Sequence, residues 1–129
     1  MLFRSVLVKR PGPAFGAAFD DPAHGFRHPV DLGVAQREHD RFVEVLGGLG
    51  PRVHLLDAET ESPDLIYTFD PLLVSDLGAI PLRPGKANRA SEPGTIEAWM
   101  RSAGIPTAGR IESPGTVEEI GRASCRERV

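Results

Sequence analysis

Two β-branched runs flank one amphipathic stretch near the start of this chain, and that arrangement limits the fold more than any other feature. The first run, "FRSVLVKR" (Phe3 to Arg10), closes on "PGP" and reads as a strand entering a loop. The second, "RVHLL", begins at Arg52. Between them lies "DLGVAQREHDRFVEVLGGLG". It opens on Asp31, a residue type whose side chain caps helices, and it ends in Gly47, Gly48 and Gly50. Ala35, Phe42, Val45, Leu46 and Leu49 fall on one face at helical spacing, and Gln36, Arg37, Asp40, Arg41 and Glu44 lie off it. Strand, helix and strand in this order form a β-α-β crossover with parallel strands. The spacing predicts strands over 3–10 and 52–56 and a helix over 32–47.

The rest of the chain is punctuated more densely. "LIYTF" and "LLVSD" are strand-like and separated by Asp70-Pro71, and "SDLGAIPL" reads as a hairpin turning at Leu77-Gly78. "RPGKANRASEPG" is a polar loop. Ser91 can cap a helix over 92–102 that carries Ile96, Trp99 and Met100, with Pro93 tolerated in the first turn and Gly104 as its stop. "TAGRIE" follows as a strand. Strands are therefore expected over 65–69, 72–76, 79–83 and 107–112. The pattern is α/β with mixed strand pairing. A weak internal repeat is visible, since each helix leads through glycine into a short strand, at "PRVHLL" and at "PTAGRI". Residues 11–29 form a long Gly- and Pro-rich segment holding Phe15, Phe19, Phe26, His24 and His28. Loops of that length in a compact domain are usually functional or disordered.

Composition removes several function classes. A chain of 129 residues, 40% apolar and 26% charged, suits one small globular domain. A net charge of −3, no basic face and few aromatics argue against nucleic acid as a partner. The longest apolar runs, such as "SVLV" and "PLLV", are too short to span a membrane. The start, "MLFRSVLVKRPGP", is too short and too charged for a secretory signal, so a cytoplasmic location is expected. One cysteine, Cys125, cannot form an internal disulfide. The oligomeric state is not legible.

Chemistry concentrates in two segments. In "SPDLIYTFDP", alternation puts Ile66, Thr68 and Asp70 on one face of the expected strand and Leu65, Tyr67 and Phe69 on the other. An aspartate ending a buried strand before proline is a candidate site carboxylate, although Asp-Pro by itself more often initiates a turn. "LRPGKANR" offers Arg83, Lys86 and Arg89 around a Pro-Gly turn. Such a loop can hold a carboxylate through paired, charge-assisted hydrogen bonds, or can simply be a solvated basic loop. His24, His28, His39 and His54 show no metal-ligand spacing, and His39 reads as a surface residue among charged neighbours. No phosphate-binding glycine loop, cysteine pair or HExxH motif is present. No metal or cofactor is expected.

The ordered set "LVKRPGPAF", "VDLGVAQREHDRFVEVL", "PDLIYTFDPLLV", "LRPGKANRASE" and "RIESPGTVE" resembles the N-terminal part of the pentein superfamily. It is similar to the dimethylarginine dimethylaminohydrolases, with arginine deiminases and amidinotransferases as cousins. The resemblance covers about Val6 to Glu118. It implies the N-terminal part of a five-bladed α/β propeller built from ββαβ-type units around a central pocket. It implies a hydrolase in which a cysteine thiolate attacks the guanidinium carbon of arginine or dimethylarginine, giving citrulline and an amine, with a histidine as acid and base. Asp70 matches the carboxylate that holds the substrate guanidinium, and Asp64 an acid that helps hold the amino-acid end. Arg89 matches an arginine that pairs with the substrate carboxylate. Phe19 lies in the segment Phe15 to Asp20, which takes the place of a mobile lid. Phe69 is a departure, standing where dimethylaminohydrolases usually carry glutamate and where arginine deiminases, with "FTRDP", carry arginine. An amidinotransferase or deiminase relative is the alternative enzyme. A non-catalytic α/β module that holds an amino acid with Asp70 and Arg89 is the alternative of another class.

In the family, "RIESPGTVE" continues into two glycines and an aspartate. Here it continues "EIGRASCRERV", a string that one reading frame of a common short-read sequencing adapter encodes. Residues 1–118 are therefore expected to be the truncated N-terminal part of a catalytic domain, and 119–129 an artefactual tail. On that expectation Cys125 is not the nucleophile, and the family's catalytic cysteine and histidine lie farther along. None of the catalytic residues would then be in this chain.

Overall fold

A computed structural model describes residues 4–117. They divide into two compact units, 4–66 and 67–117.

In the first unit, β1 (Ser5–Val8) pairs in parallel with β2 (Arg52–Leu55), in the register Ser5 to Arg52 through Val8 to Leu55. The pairing runs one step past each end: the Arg52 amide donates to the Arg4 carbonyl, and the Leu56 amide to that of Val8. The crossover is α2 (Leu32–Gly48), preceded in the chain by a short α1 (Pro13–Gly16). The Asp31 carboxylate accepts from the Val34 amide at 2.9 Å, satisfying a donor that the first turn would otherwise leave open. Gly50, at φ 101°, takes the chain out of the helix through a conformation that side chains disfavour. The expected β-α-β unit is present.

The packing of α2 corrects the expected face. Leu32, Ala35, Gln36, His39, Val43 and Leu46 are the half-buried side chains, while Val34, Phe42, Val45 and Leu49 are exposed. Ala35 and Leu46 lie inward as expected; Phe42, Val45 and Leu49 do not. His39, expected at the surface, is largely covered, and neither ring nitrogen has a hydrogen-bond partner. Gln36 turns inward because its amide donates to the Pro11 carbonyl at 2.9 Å. That bond ties α2 to the start of the 11–29 segment. The segment itself is built of α1 and two 3-10 turns, Ala18–Asp20 and Pro22–His24, with Ala18 fully buried and Phe15 packed edge-on against Phe26 at 5.8 Å.

In the second unit, β3 (Leu72–Ser75) and β4 (Gly78–Pro81) form an antiparallel hairpin around Asp76 and Leu77, one residue earlier than expected. Gly78, at φ 135°, follows the turn, and a side chain there would run into the Pro106 carbonyl oxygen. That close approach joins the end of α3 (Glu92–Ser102) back to the hairpin. The Ala79 amide donates to Pro106, and the Ala108 amide donates to Ala79, making a parallel bridge at Thr107. Hairpin and helix give a ββα order, and the returning segment adds one parallel bridge.

Two expected strands are absent. Residues 107–112 make only the isolated bridge at Thr107. The Ala79 carbonyl accepts from Ala108 and the Pro81 carbonyl from Ile111, so two steps along β4 meet three along the returning chain. One extra residue breaks the ladder. Residues 65–69 are not a strand either. Pro63–Ile66 is a 3-10 turn in which Pro63, Asp64 and Leu65 are all buried, whereas a strand with one covered face would bury only alternate residues. A turn over Tyr67 to Asp70 follows, closed by the Asp70 amide donating to the Tyr67 carbonyl. Prolines at 63 and 71 bracket this stretch and withhold the amides a ladder needs. Ser91 precedes α3 as expected, but its side chain makes no cap; its carbonyl accepts from Thr95 instead. The residues of the tail lie outside those described.

Candidate functional site

Asp70 and Arg89, 19 residues apart, meet in the second unit. Asp70 sits on the turn before β3, and Arg89 on a 3-10 turn, Ala87–Arg89, just before α3. Arg89 Nη1 donates to Asp70 Oδ2 at 3.0 Å. The other edge of the guanidinium is gripped by Glu92 on the first turn of α3. Nε lies 3.0 Å from Oε1 and 3.1 Å from Oε2, and Nη2 lies 2.7 Å from Oε2. Glu92 is completely buried, Arg89 is nearly so, and Asp70 is partly open to solvent.

The electrostatics follow from that count. Burial works against the charge on Arg89 and is the largest single effect, but hydrogen bonds and charge from Glu92, then Asp70, outweigh it and raise the pKa above its ordinary value. With both carboxylates ionised the cluster carries one net negative charge. It opens to solvent at Asp70, so it favours a cation there. A carboxylate edge next to a planar cation is what Asp70 already provides for Arg89, and an aspartate has lone pairs for a second donor.

Phe69, just before Asp70, is exposed and packs edge-on against exposed Tyr67 at 6.3 Å. In the first unit, Asp64 is buried on the Pro63–Ile66 turn, and Phe19 is exposed on the Ala18–Asp20 turn. The residue that sequence reasoning missed is Glu92. Its signal was present as an Arg89–Glu92 pair at i, i+3 spacing, an arrangement that places side chains on neighbouring turns. Glu97, another inward glutamate of α3, was missed too. It receives the Thr107 hydroxyl and Arg110.

A groove of about 740 Å³ opens at the C-terminal ends of β1 and β2, with Lys9, Arg10, Phe15, Gln36, Asp57 and Thr60 among its walls. Its cations are already engaged. Lys9 donates to the Leu56 and Ala58 carbonyls, and Arg10 pairs with Asp40. Among the described residues no group of three or more His, Cys, Asp or Glu side chains is placed to hold a metal ion. No described helix is long and apolar enough to cross a membrane.

No family model matches the chain. Individual proteins do. It is 32% identical over 117 residues to a dimethylarginine dimethylaminohydrolase from Pseudomonas aeruginosa, covering 91% of this chain and 45% of the relative. It is 29% identical over 115 residues to one from Streptomyces coelicolor, covering 89% and 43%. The solved Pseudomonas aeruginosa enzyme, in complex with citrulline, superposes with a TM-score of 0.77 at 27% identity, over 92% of this chain and 45% of that one. Over the matched span the chain is similar in sequence and in fold to dimethylarginine dimethylaminohydrolases. It spans less than half the length of the curated relatives it matches. A further dimethylarginine dimethylaminohydrolase, solved as an adduct with S-methyl-L-thiocitrulline, matches with a TM-score of 0.75 at 26% identity, over 91% of this chain and 45% of its own.

Proposed function

We propose that this chain is the substrate-anchoring part of a hydrolase that converts dimethylarginine or arginine to citrulline and an amine. The observation that carries the reading is the partly open Asp70 carboxylate, which already accepts from one guanidinium and belongs to a cluster with net negative charge. Asp70 holds the substrate guanidinium in plane and presents its carbon for attack by a thiolate. The solved relatives bound to citrulline and to S-methyl-L-thiocitrulline support a ligand of this shape. The family resemblance gives Arg89 the substrate carboxylate as its partner; Asp64 and Phe19 belong to the first unit. Exposed Phe69 offers a ring to the cation or to its N-methyl groups, which favours dimethylarginine over arginine.

In this reading the thiolate and the acid–base histidine come from chain beyond the matched span, so residues 1–129 alone release no citrulline. The test is citrulline release by a protein of the relatives' full length that carries residues 1–117, alongside the 129-residue chain. Asp70→Ala in the longer protein should remove most turnover, because the guanidinium loses its anchor. Arg89→Ala should lower kcat/KM with a raised KM, since it removes both the proposed partner of the substrate carboxylate and the donor that fixes Asp70 Oδ2. Unchanged kinetics for Asp70→Ala would overturn the proposal. Citrulline formation by the 129-residue chain would overturn its division of labour.

A further inference from the structure

We infer that Glu92 is a positioning residue for guanidinium binding, acting through Arg89 on Asp70. The inference rests on Asp70 being the anchor. Burying a carboxylate as completely as Glu92 is unfavourable unless its partner and geometry are very good. Its carboxylate accepts three hydrogen bonds from one arginine, on the Nε and Nη2 edge. That grip fixes the plane of the guanidinium and leaves Nη1 as the arm that reaches Asp70. Asp70 stands on a turn, held through its backbone by Tyr67, and its carboxylate could otherwise rotate in the solvent it partly faces. Arg89 stops that rotation by fixing Oδ2. The direction of the second oxygen, Oδ1, is then set before any ligand arrives. A ligand cation meets a preformed edge, without the ordering cost of a free side chain.

A competing account makes Glu92 a helix-start anion and nothing more. It occupies the first residue of α3, where negative charge is favoured by the helix dipole. The two accounts separate on geometry. Glu92→Asp keeps the charge, the burial site and the helix position but shortens the arm, so the two-pronged grip on Arg89 is lost. Glu92→Gln keeps the arm and the shape but removes the charge.

The experiment is an NMR titration of the 129-residue chain with L-arginine and, as a neutral match in shape, L-citrulline. In the wild-type chain arginine should bind more tightly than citrulline, and the Asp70 β-protons should report one rotamer. Glu92→Asp should cut the preference for arginine about tenfold, as expected for loss of one ordered charge-assisted contact. It should also average the Asp70 rotamers in the free chain. Glu92→Gln should do the same and is the second variant if Glu92→Asp fails to fold. A folded Glu92→Asp with the wild-type preference and a single Asp70 rotamer would overturn the inference. Loss of folding in both variants would assign Glu92 to stability alone and overturn it as well. The underlying anchor reading fails separately, if wild-type shows no arginine preference or if Asp70→Asn leaves the preference intact.

Discussion

Among the described residues, Arg10 and Arg89 each grip a carboxylate through Nε and Nη2, and the two pairs have different physical weight. Arg10 in the first unit binds Asp40 through Nε and Nη2 at 2.8 and 2.9 Å, with both side chains about half exposed, at 45% and 51%. Arg89 in the second unit binds Glu92 with similar distances, but the two are 10% and 0% exposed. Water competes for the first pair and hardly reaches the second. The helices differ in the same way. No side chain of α2 is fully buried, whereas Glu92, Pro93, Ile96, Glu97 and Met100 of α3 form one buried stripe. Similar hydrogen-bond distances thus say little about energetic importance until solvent is counted, and the candidate site is built on the pair from which solvent is excluded.

The strongest way to break this contrast is Glu92→Ala. It leaves the buried Arg89 without the carboxylate that grips its Nε and Nη2 edge, and removing one member of a buried pair costs about 3–5 kcal/mol. Urea unfolding followed by the fluorescence of Trp99, the sole tryptophan, reads the second unit directly. A loss within the scatter of replicates would place Glu92 in the same class as Asp40 and remove the contrast.

Next in size is a paired truncation of the two helices. Ile96→Ala empties a fully buried position of α3 and should cost about 2–4 kcal/mol. Phe42→Ala trims an exposed ring of α2 and should cost under about 1 kcal/mol despite deleting more atoms. Equal losses would mean that α2 is covered as thoroughly as α3 in solution.

Acid should then separate the units in order. The His39 pKa is held below its ordinary value, first by burial and further by Arg10, with Asp40 opposing. Neutral His39 is the native form, so its contribution is complete above the unfolded-chain pKa of about 6.5 and is lost as pH falls from there to the folded value. The Glu97 pKa is also held below its ordinary value, first by the Thr107 hydroxyl and then by Arg110, with burial opposing. There the carboxylate is native. Its contribution is present above the unfolded glutamate pKa, about 4.3, and is lost as pH falls through the lower folded value. His39 ring-proton signals should therefore report weakening of the first unit at mild acidity, before Trp99 fluorescence reports any change in the second. His39→Leu should abolish the early step and leave the late one. Simultaneous loss by both probes near pH 4 would contradict the ordering.

The smallest effect belongs to Arg10→Ala. The pair it breaks is open to water on both sides, so the unfolding midpoint should stay within replicate error and be indifferent to added salt. A clear, salt-sensitive loss would show that exposure is a poor guide to the weight of an ion pair in this protein.

The sequence by itself determined the features that rest on short-range bonds and sterics. The Asp31 cap, the glycine exit at Gly50, the β-branched runs on either side of α2 and the tight turn after Ser75 all arise from residues within a few positions of one another. Those signals are legible because the hydrogen bonds and dihedral limits involved are local. The order of five motifs likewise carried the family resemblance, which the matching relatives support. Tertiary structure decided the rest. Which face of α2 turned inward depended on the Pro11 carbonyl that Gln36 reaches 25 residues away. Whether 65–69 became a strand depended on burying Asp64 and Leu65 together, which local alternation does not encode. The weight of Glu92 depended on a cation three residues before it and a carboxylate 22 positions back, brought within reach only when the turn before β3 and the start of α3 came together. Burial is a property of what surrounds a side chain, and distant parts of the chain supply most of those surroundings.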